Sequence, residues 1–300
     1  MSTKAKVWLG VGLWLLILIL LGVAFGSDGK NEAFKPQEEF RLTPWIDIHI
    51  GGLDLSINKA VLYVFIACAL TLLTMILVAR KMTQKPNRTQ AGIEAAYDLT
   101  YNNITRGNMD EAMAKKWFPF VATLFFFIWF SNMIGYIPLP TNTHETIDIF
   151  GIDFPAFALY AATANLSVPL VLTLVVFISY QWEGIRVKGL GPYVKGWIPK
   201  GTPPGMRIPI FFIEAISQFM RIISLSVRLF ANILAGHLLI LFMGGGLAVL
   251  LGIAGLGLIT LPIAVVFFIL EVGLIATLQA FIFATLTSIY FGEATAAEGH

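Results

Sequence analysis

The chain alternates long apolar runs with shorter polar stretches. Apolar runs occupy about 7–25, 60–79, 117–137, 156–180, 209–243 and 247–291. A helix needs roughly 20 apolar residues to cross a ~30 Å hydrocarbon core, so each of the first four runs predicts a single crossing. The last two are longer than a crossing requires. Residues 210–243 as one helix would rise roughly 51 Å, so this segment must either break or lie steeply across the membrane. Gly244–Gly246 and the glycines of LGIAGLGL mark the turn that follows. The pattern predicts an all-α polytopic membrane protein. It gives five core membrane helices, the last two forming a long C-terminal hairpin, plus an N-terminal hydrophobic segment that adds a sixth crossing if retained.

Composition supports this class. Of 300 residues, 57% are hydrophobic and 13% charged, with a mean hydropathy of +0.78. Soluble domains run nearer ~45–50% apolar and ~25% charged, so a soluble domain with one anchor is excluded. The net charge of +2 matters less than where the charges lie. Lys4 and Lys6 precede the first run. Arg80, Lys81, Lys85, Arg88, Arg106, Lys115 and Lys116 lie between the second and third, and Arg186, Lys188, Lys195, Lys200 and Arg207 between the fourth and fifth. These segments hold 14 of the 20 Lys and Arg residues. The positive-inside rule then puts both basic loops in the cytoplasm, and both termini as well if the first run is retained. The length and the first run fit a multi-pass protein of a cell inner (plasma) membrane, with an organelle-encoded origin as the alternative. The first run, with Lys4, Lys6 and the small residues of GVAFGS, reads as a retained anchor or as a cleaved signal. Its 19-residue length favours the anchor.

The expected organisation has five parts. Residues 1–26 are the anchor or signal, and 27–58 a polar segment on the outer side. Residues 59–207 hold the first membrane helices, 208–292 the C-terminal hairpin, and 293–300 a cytoplasmic tail. In the first basic loop, Ile93, Tyr97, Tyr101 and Ile104 recur at helical steps. They predict an amphipathic helix along the inner interface, starting near Thr89 or Gln90 after Pro86. The stretch GLGPYVKGWIPKGTPPG is dense in Gly and Pro and predicts irregular structure. No inverted repeat relates the two halves, which argues against a secondary-transporter fold. Cys68 is the one cysteine and lies in an apolar run. His49, His144 and His300 are scattered without metal-ligand spacing. No G-x-x-x-x-G-K-[ST] loop occurs, so any ATP chemistry resides in partner chains. No cofactor, metal or nucleic acid is expected.

The fifth run contains Glu214, Gln218, Arg221, Ser224, Arg228, Asn232 and His237. At about 100° per residue, positions 214, 218, 221, 225, 228 and 232 form one stripe, and His237 falls on the opposite face. Along the helix His237 stands roughly 13 Å to one side of Arg228, and Glu214 roughly 21 Å to the other. An arginine in mid-membrane costs from ~3 to more than 10 kcal/mol unless it faces a partner or water. Helices can be joined more cheaply through Ser or Gly, so Arg228 points to function. The sixth run adds Glu271 and Gln279. If the two helices form an antiparallel hairpin, His237 and Glu271 can meet, either as a pair that exchanges protons as a unit near neutrality or as a buried hydrogen-bonded pair with no proton traffic.

Two stretches, SLSVRLFANILAGHLL and TLQAFIFATLTSIYFGEA, resemble subunit a of the membrane sector of F-type ATP synthases. FSNMIGYIPLP, TANLSVPLVL and FIEAISQFMR add to the likeness, which covers roughly 40–290. The resemblance implies a non-catalytic stator subunit whose tilted hairpin wraps a rotating c-subunit ring. Further partners are the b-subunit peripheral stalk, the remaining ATP synthase subunits and the lipid bilayer. It gives Arg228 the role of the essential arginine facing the ring carboxylates, with Asn232 and Gln279 as polar neighbours. His237 and Glu271 then line an outer half-channel, and Glu214 lies by a cytoplasmic one with Arg221 nearby. Asn132 takes a polar position near the outer access path. Two departures stand out. Glu271 precedes Gln279 by eight residues where the family pattern implies seven, which predicts a local bulge or a different water path. Asn165 stands where an aspartate is common.

Two other classes make different predictions. A self-contained transporter or ion channel would move its substrate as the isolated chain. A purely structural scaffold would lose assembly, not coupling, when Arg228 is neutralised.

Overall fold

The computed structural model describes residues 42, 44–46, 48–50, 53–54, 56–81, 88–136, 146–149, 152–155, 161–199, 201–246 and 254–296. The anchor or signal at 1–26, the first part of the outer segment, and residues 247–253 of the expected turn lie outside the described residues.

Five described helices are long and apolar enough to cross a membrane, spanning Lys59–Leu77, Glu111–Gly135, Ser167–Lys188, Pro204–Gly244 and Ile259–Thr295. They match the apolar runs from the second onward. The α-helices are α1 (Lys59–Lys81), α2 (Arg88–Asp98), α3 (Glu111–Gly135), α4 (Ser167–Lys188), α5 (Leu190–Lys195), α6 (Arg207–Leu241), α7 (Ala254–Leu270) and α8 (Ala276–Thr295). Of the two alternatives for the fifth run, α6 takes the unbroken one: 35 residues, or about 52 Å of rise. Helices in lipid must satisfy their polar groups internally. The hydroxyls of Thr71, Thr123, Thr173, Ser226, Thr287 and Thr295 each donate to the carbonyl four residues earlier.

The chain divides into two compact units. One comprises Met1–Lys59, Pro138–Leu159 and Leu234–Ile275. It contains three small antiparallel pairs that the helical pattern did not predict. These are β1 (Pro44–Ile46) with β4 (Ile57–Asn58), β2 (His49–Ile50) with β3 (Leu53–Asp54), and β5 (Thr146–Ile149) with β6 (Ile152–Pro155). In the second pair His49 faces Asp54 and Ile50 faces Leu53. In the same unit α6 ends in a π-helical turn, Phe242–Gly246, against which α7 packs.

The other unit comprises Ala60–Ile137, Tyr160–Ile233 and Ala276–His300. Its centre is α8, which packs on α3 and α4. Ala276, Ala280 and Ala284 are fully buried and let the helices approach closely, while Phe283 and Phe291 fill the space between them. The Phe291 ring lies 4.2 Å from that of Trp117 on α3. The buried Glu183 of α4 pairs with Lys116 of α3.

The predicted amphipathic helix appears as α2, continued by a π-helical turn, Leu99–Thr105. Its apolar stripe packs on protein: Tyr97 and Tyr101 contact the Phe118 ring, and Ile104 is fully buried. The Ser288 hydroxyl donates to the Ile104 carbonyl at 3.0 Å, tying this turn to α8. The Gly- and Pro-rich loop departs from expectation by forming the short helix α5 and a 3₁₀ turn, Pro204–Met206. Tyr193 explains α5, because its ring is buried against α4 and holds the segment in place.

Candidate functional site

The polar stripe on α6 keeps one flank of the helix but differs in burial along its length. Its buried seam runs through Gln218, Leu225, Leu229 and Ile233. Arg228 precedes Leu229 by one residue, and a 100° step carries it off the seam to an exposed position. Glu214, Arg221 and Asn232 are half-buried. Among the described residues, no acidic side chain lies within ion-pairing distance of Arg228.

Arg221 is held quite differently. Its Nη1 lies 2.7 Å from Glu293 Oε2, and its guanidinium sits 4.7 Å from the centre of the Tyr290 ring. Arg221 thus pairs with the far end of α8 and not with Glu214 on its own helix. Sequence reasoning placed Glu293 in the tail and missed it. The available signal was spacing, since Tyr290 and Glu293 lie three residues apart on one helical face. A cavity of about 250 Å³ opens beside this pair, lined by Glu214, Gln218, Arg221, Tyr290, Glu293 and Trp197 among others. Both acids and the arginine thus share a space large enough for several waters.

Gln218, a polar member of the α6 stripe, links this cavity to α4. Its Nε2 donates to Glu214 Oε1 at 2.9 Å, and its Oε1 accepts from Tyr180 Oη at 2.9 Å.

Glu271 opens a π-helical turn, Glu271–Ile275, between α7 and α8. A π turn holds one residue more than an α turn, so of the two alternatives, a local bulge or a different water path, the backbone here shows the bulge. Glu271 is buried and approaches Gly236 on α6 so closely that a Cβ at position 236 would lie 2.5 Å from its carboxyl carbon. His237 is the next residue along α6 and is half-buried. Gln279, four residues beyond the π turn, is buried within α8.

Asn132 is fully buried in α3. Its amide donates to the Ala276 carbonyl at 3.2 Å, and its oxygen accepts from Thr163 Oγ1 at 2.7 Å. Its polar groups therefore join α3 to α8 and to the 3₁₀ turn Ala162–Ala164. Asn165 lies just ahead of α4, and its side-chain oxygen accepts the N–H of Ser167, two residues on, at 3.0 Å.

Apolar helices long enough to cross a bilayer, one with an exposed arginine in its interior, define a polytopic membrane protein equipped to handle charge. The chain belongs to the ATP synthase A chain family, which matches residues 61–292. It is 35% identical to ATP synthase subunit a of Rubrobacter xylanophilus, over 90% of this chain and 96% of that protein. The subunit a of Hyphomonas neptunium is 32% identical, over 89% and 98%, and that of Pelagibacter ubique 33% identical, over 86% and 94%. The chain is thus a multi-pass membrane component of the ATP synthase complex, concerned with ATP synthesis and ion transport.

Proposed function

We propose that this chain is the stator subunit through which protons reach and leave the carboxylates of a rotating c-subunit ring. The observation that carries this reading is the contrast between two arginines on α6: Arg221 is neutralised within the chain, whereas Arg228 stands exposed without an acidic partner among the described residues. An arginine in a membrane helix needs a counter-charge, and a ring carboxylate supplies it.

Arginine stays charged in proteins, so Arg228 attracts a carboxylate without surrendering a proton. A ring carboxylate beside it is favoured in its ionised form and releases its proton towards Glu214, Arg221 and the cavity they line. On this reading that cavity is the cytoplasmic half-channel. Past Arg228 the carboxylate takes a proton from the outer half-channel at His237 and Glu271. Asn232 and Gln279 flank the arginine, and Asn132 braces the helices near the outer access path. The fixed positive charge between the two water paths blocks a direct leak. Each proton crossing 100 mV contributes ~2.3 kcal/mol to turning the ring. The chain itself catalyses no reaction. It sits in the bacterial plasma membrane with its basic loops inside, anchored to the b-subunit stalk, and ATP is made by partner subunits.

The test is ATP-driven proton pumping in inverted membrane vesicles carrying wild-type chain or Arg228→Ala, with assembly checked on a native gel. Lost pumping in an assembled complex is expected. Normal pumping would overturn the assignment, and lost assembly would favour a scaffold.

A further inference from the structure

The short helix α5 lies outside the membrane spans, yet one of its side chains reaches the polar groups of α6. Tyr193 Oη donates to Gln181 Oε1 at 2.6 Å. Gln181 Nε2 donates to Gln218 Oε1 at 3.3 Å, and Gln218 Nε2 donates to Glu214 Oε1 at 2.9 Å. Tyr180 Oη gives Gln218 Oε1 a second donor at 2.9 Å.

The direction of this chain is set by its chemistry. Gln181 Oε1 accepts from the phenol, and the other end of the same amide, Nε2, donates onward to Gln218. Gln218 Oε1, accepting twice, leaves only Nε2 for the carboxylate, which can do nothing but accept when ionised. Turning the Gln218 amide round would set oxygen against oxygen at Glu214. Burial pushes the Tyr193 phenol above its usual range, so it remains a protonated donor throughout the physiological range. Its ring is seated against Gly184, where any Cβ would collide with it. α4 therefore carries a notch at the point where the loop helix docks.

We propose that Tyr193, Gln181 and Gln218 are positioning residues for Glu214. Through them the loop between α4 and α6 ties one carboxyl oxygen, so that proton exchange with the cavity takes place at the other. The inference rests on reading Glu214 as a step of the cytoplasmic proton path. The charged and titratable groups around the cavity that Glu214 lines are Arg221 on its own helix, Tyr180 and Lys188 on α4, Tyr193 on α5, and Tyr290 and Glu293 on α8.

The experiment measures ATP-driven pumping by the whole complex in inverted vesicles, where the medium bathes the cytoplasmic face. Tyr193→Phe keeps the ring and its seat, and Gln181→Met keeps the side-chain length. Each is expected to slow pumping about fivefold, the scale of one lost hydrogen bond. The ratio to wild type should change with medium pH but not with the pH inside the vesicle. In a Glu214→Gln background both substitutions should have no further effect. Equal slowing at every pH, or slowing that persists in that background, would reveal a merely structural role and overturn the proposal. So would loss of assembly in both variants, or wild-type pumping by both. Normal pumping by Glu214→Gln would overturn the reading of Glu214 itself, whereas loss there with normal Tyr193→Phe and Gln181→Met would overturn only the positioning chain.

Discussion

Gly236 and Glu271 claim the same space. A Cβ at position 236 would stand 2.5 Å from the carboxyl carbon of Glu271, well inside contact distance. The residue before His237 is therefore glycine because a buried carboxyl from the π turn stands where a side chain would project.

Gly236→Ala should displace that carboxyl and slow ATP-driven pumping several-fold while the complex remains assembled on a native gel. Glu271→Asp draws the carboxyl back by one methylene and should recover part of the loss in the double variant. A double variant as slow as the product of the two singles would show that the residues act independently.

Glu293→Gln removes the charge that Arg221 faces. The Glu293 side chain is 53% exposed and that of Arg221 21%, so the pair contributes about 1 kcal/mol or less. Arg221→Gln should cost more, because the cation on the Tyr290 ring is lost as well. Thermal unfolding of the solubilised complex can rank the two. A Glu293→Gln variant less stable than Arg221→Gln would contradict the geometry.

Asn132→Leu leaves Thr163 Oγ1 and the Ala276 carbonyl without the partner they share. Each interhelical hydrogen bond in a membrane protein contributes ~0.6–2 kcal/mol, so the solubilised complex should unfold at lower denaturant. Thr163→Val removes one of the two bonds and should cost about half as much. Equal losses would show that the Ala276 contact contributes nothing.

The buried Glu183 and the partly exposed Lys116 predict an asymmetry. Lys116→Met leaves a carboxylate in the interior without its counter-ion, at a cost of about 3–5 kcal/mol. Lys116→Met/Glu183→Gln removes the stranded charge and should recover much of that stability in the same unfolding assay. A double variant less stable than Lys116→Met would refute this.

Most of the helical architecture was legible along the chain, and the pattern also marked Arg228 as a charge inside an apolar helix, where the structure leaves it exposed. The one-residue excess between Glu271 and Gln279, counted against the family pattern, left a local bulge or a different water path open, and the π turn is such a bulge. The hairpin of β5 and β6 had a local signal that went unread: TIDI and IDFP alternate apolar and polar residues around a two-residue gap. The division of the α6 stripe had none. Helical phase places Glu214, Arg221 and Arg228 on one flank, but which of them finds a partner depends on where α8 and α4 lie.

The sequence by itself determined what must be in the membrane and which charge was out of place there. Both follow from local rules: backbone polar groups in lipid enforce long apolar helices, and a charged side chain within one carries a cost that composition alone makes visible. Tertiary structure alone decided that Glu293 neutralises Arg221, that Asn132 spends its amide on Ala276 and Thr163, and that Tyr193 reaches Glu214 through two glutamines. Those partners are far apart in the chain, and only the packing of one helix on another brings their short, directional contacts within range.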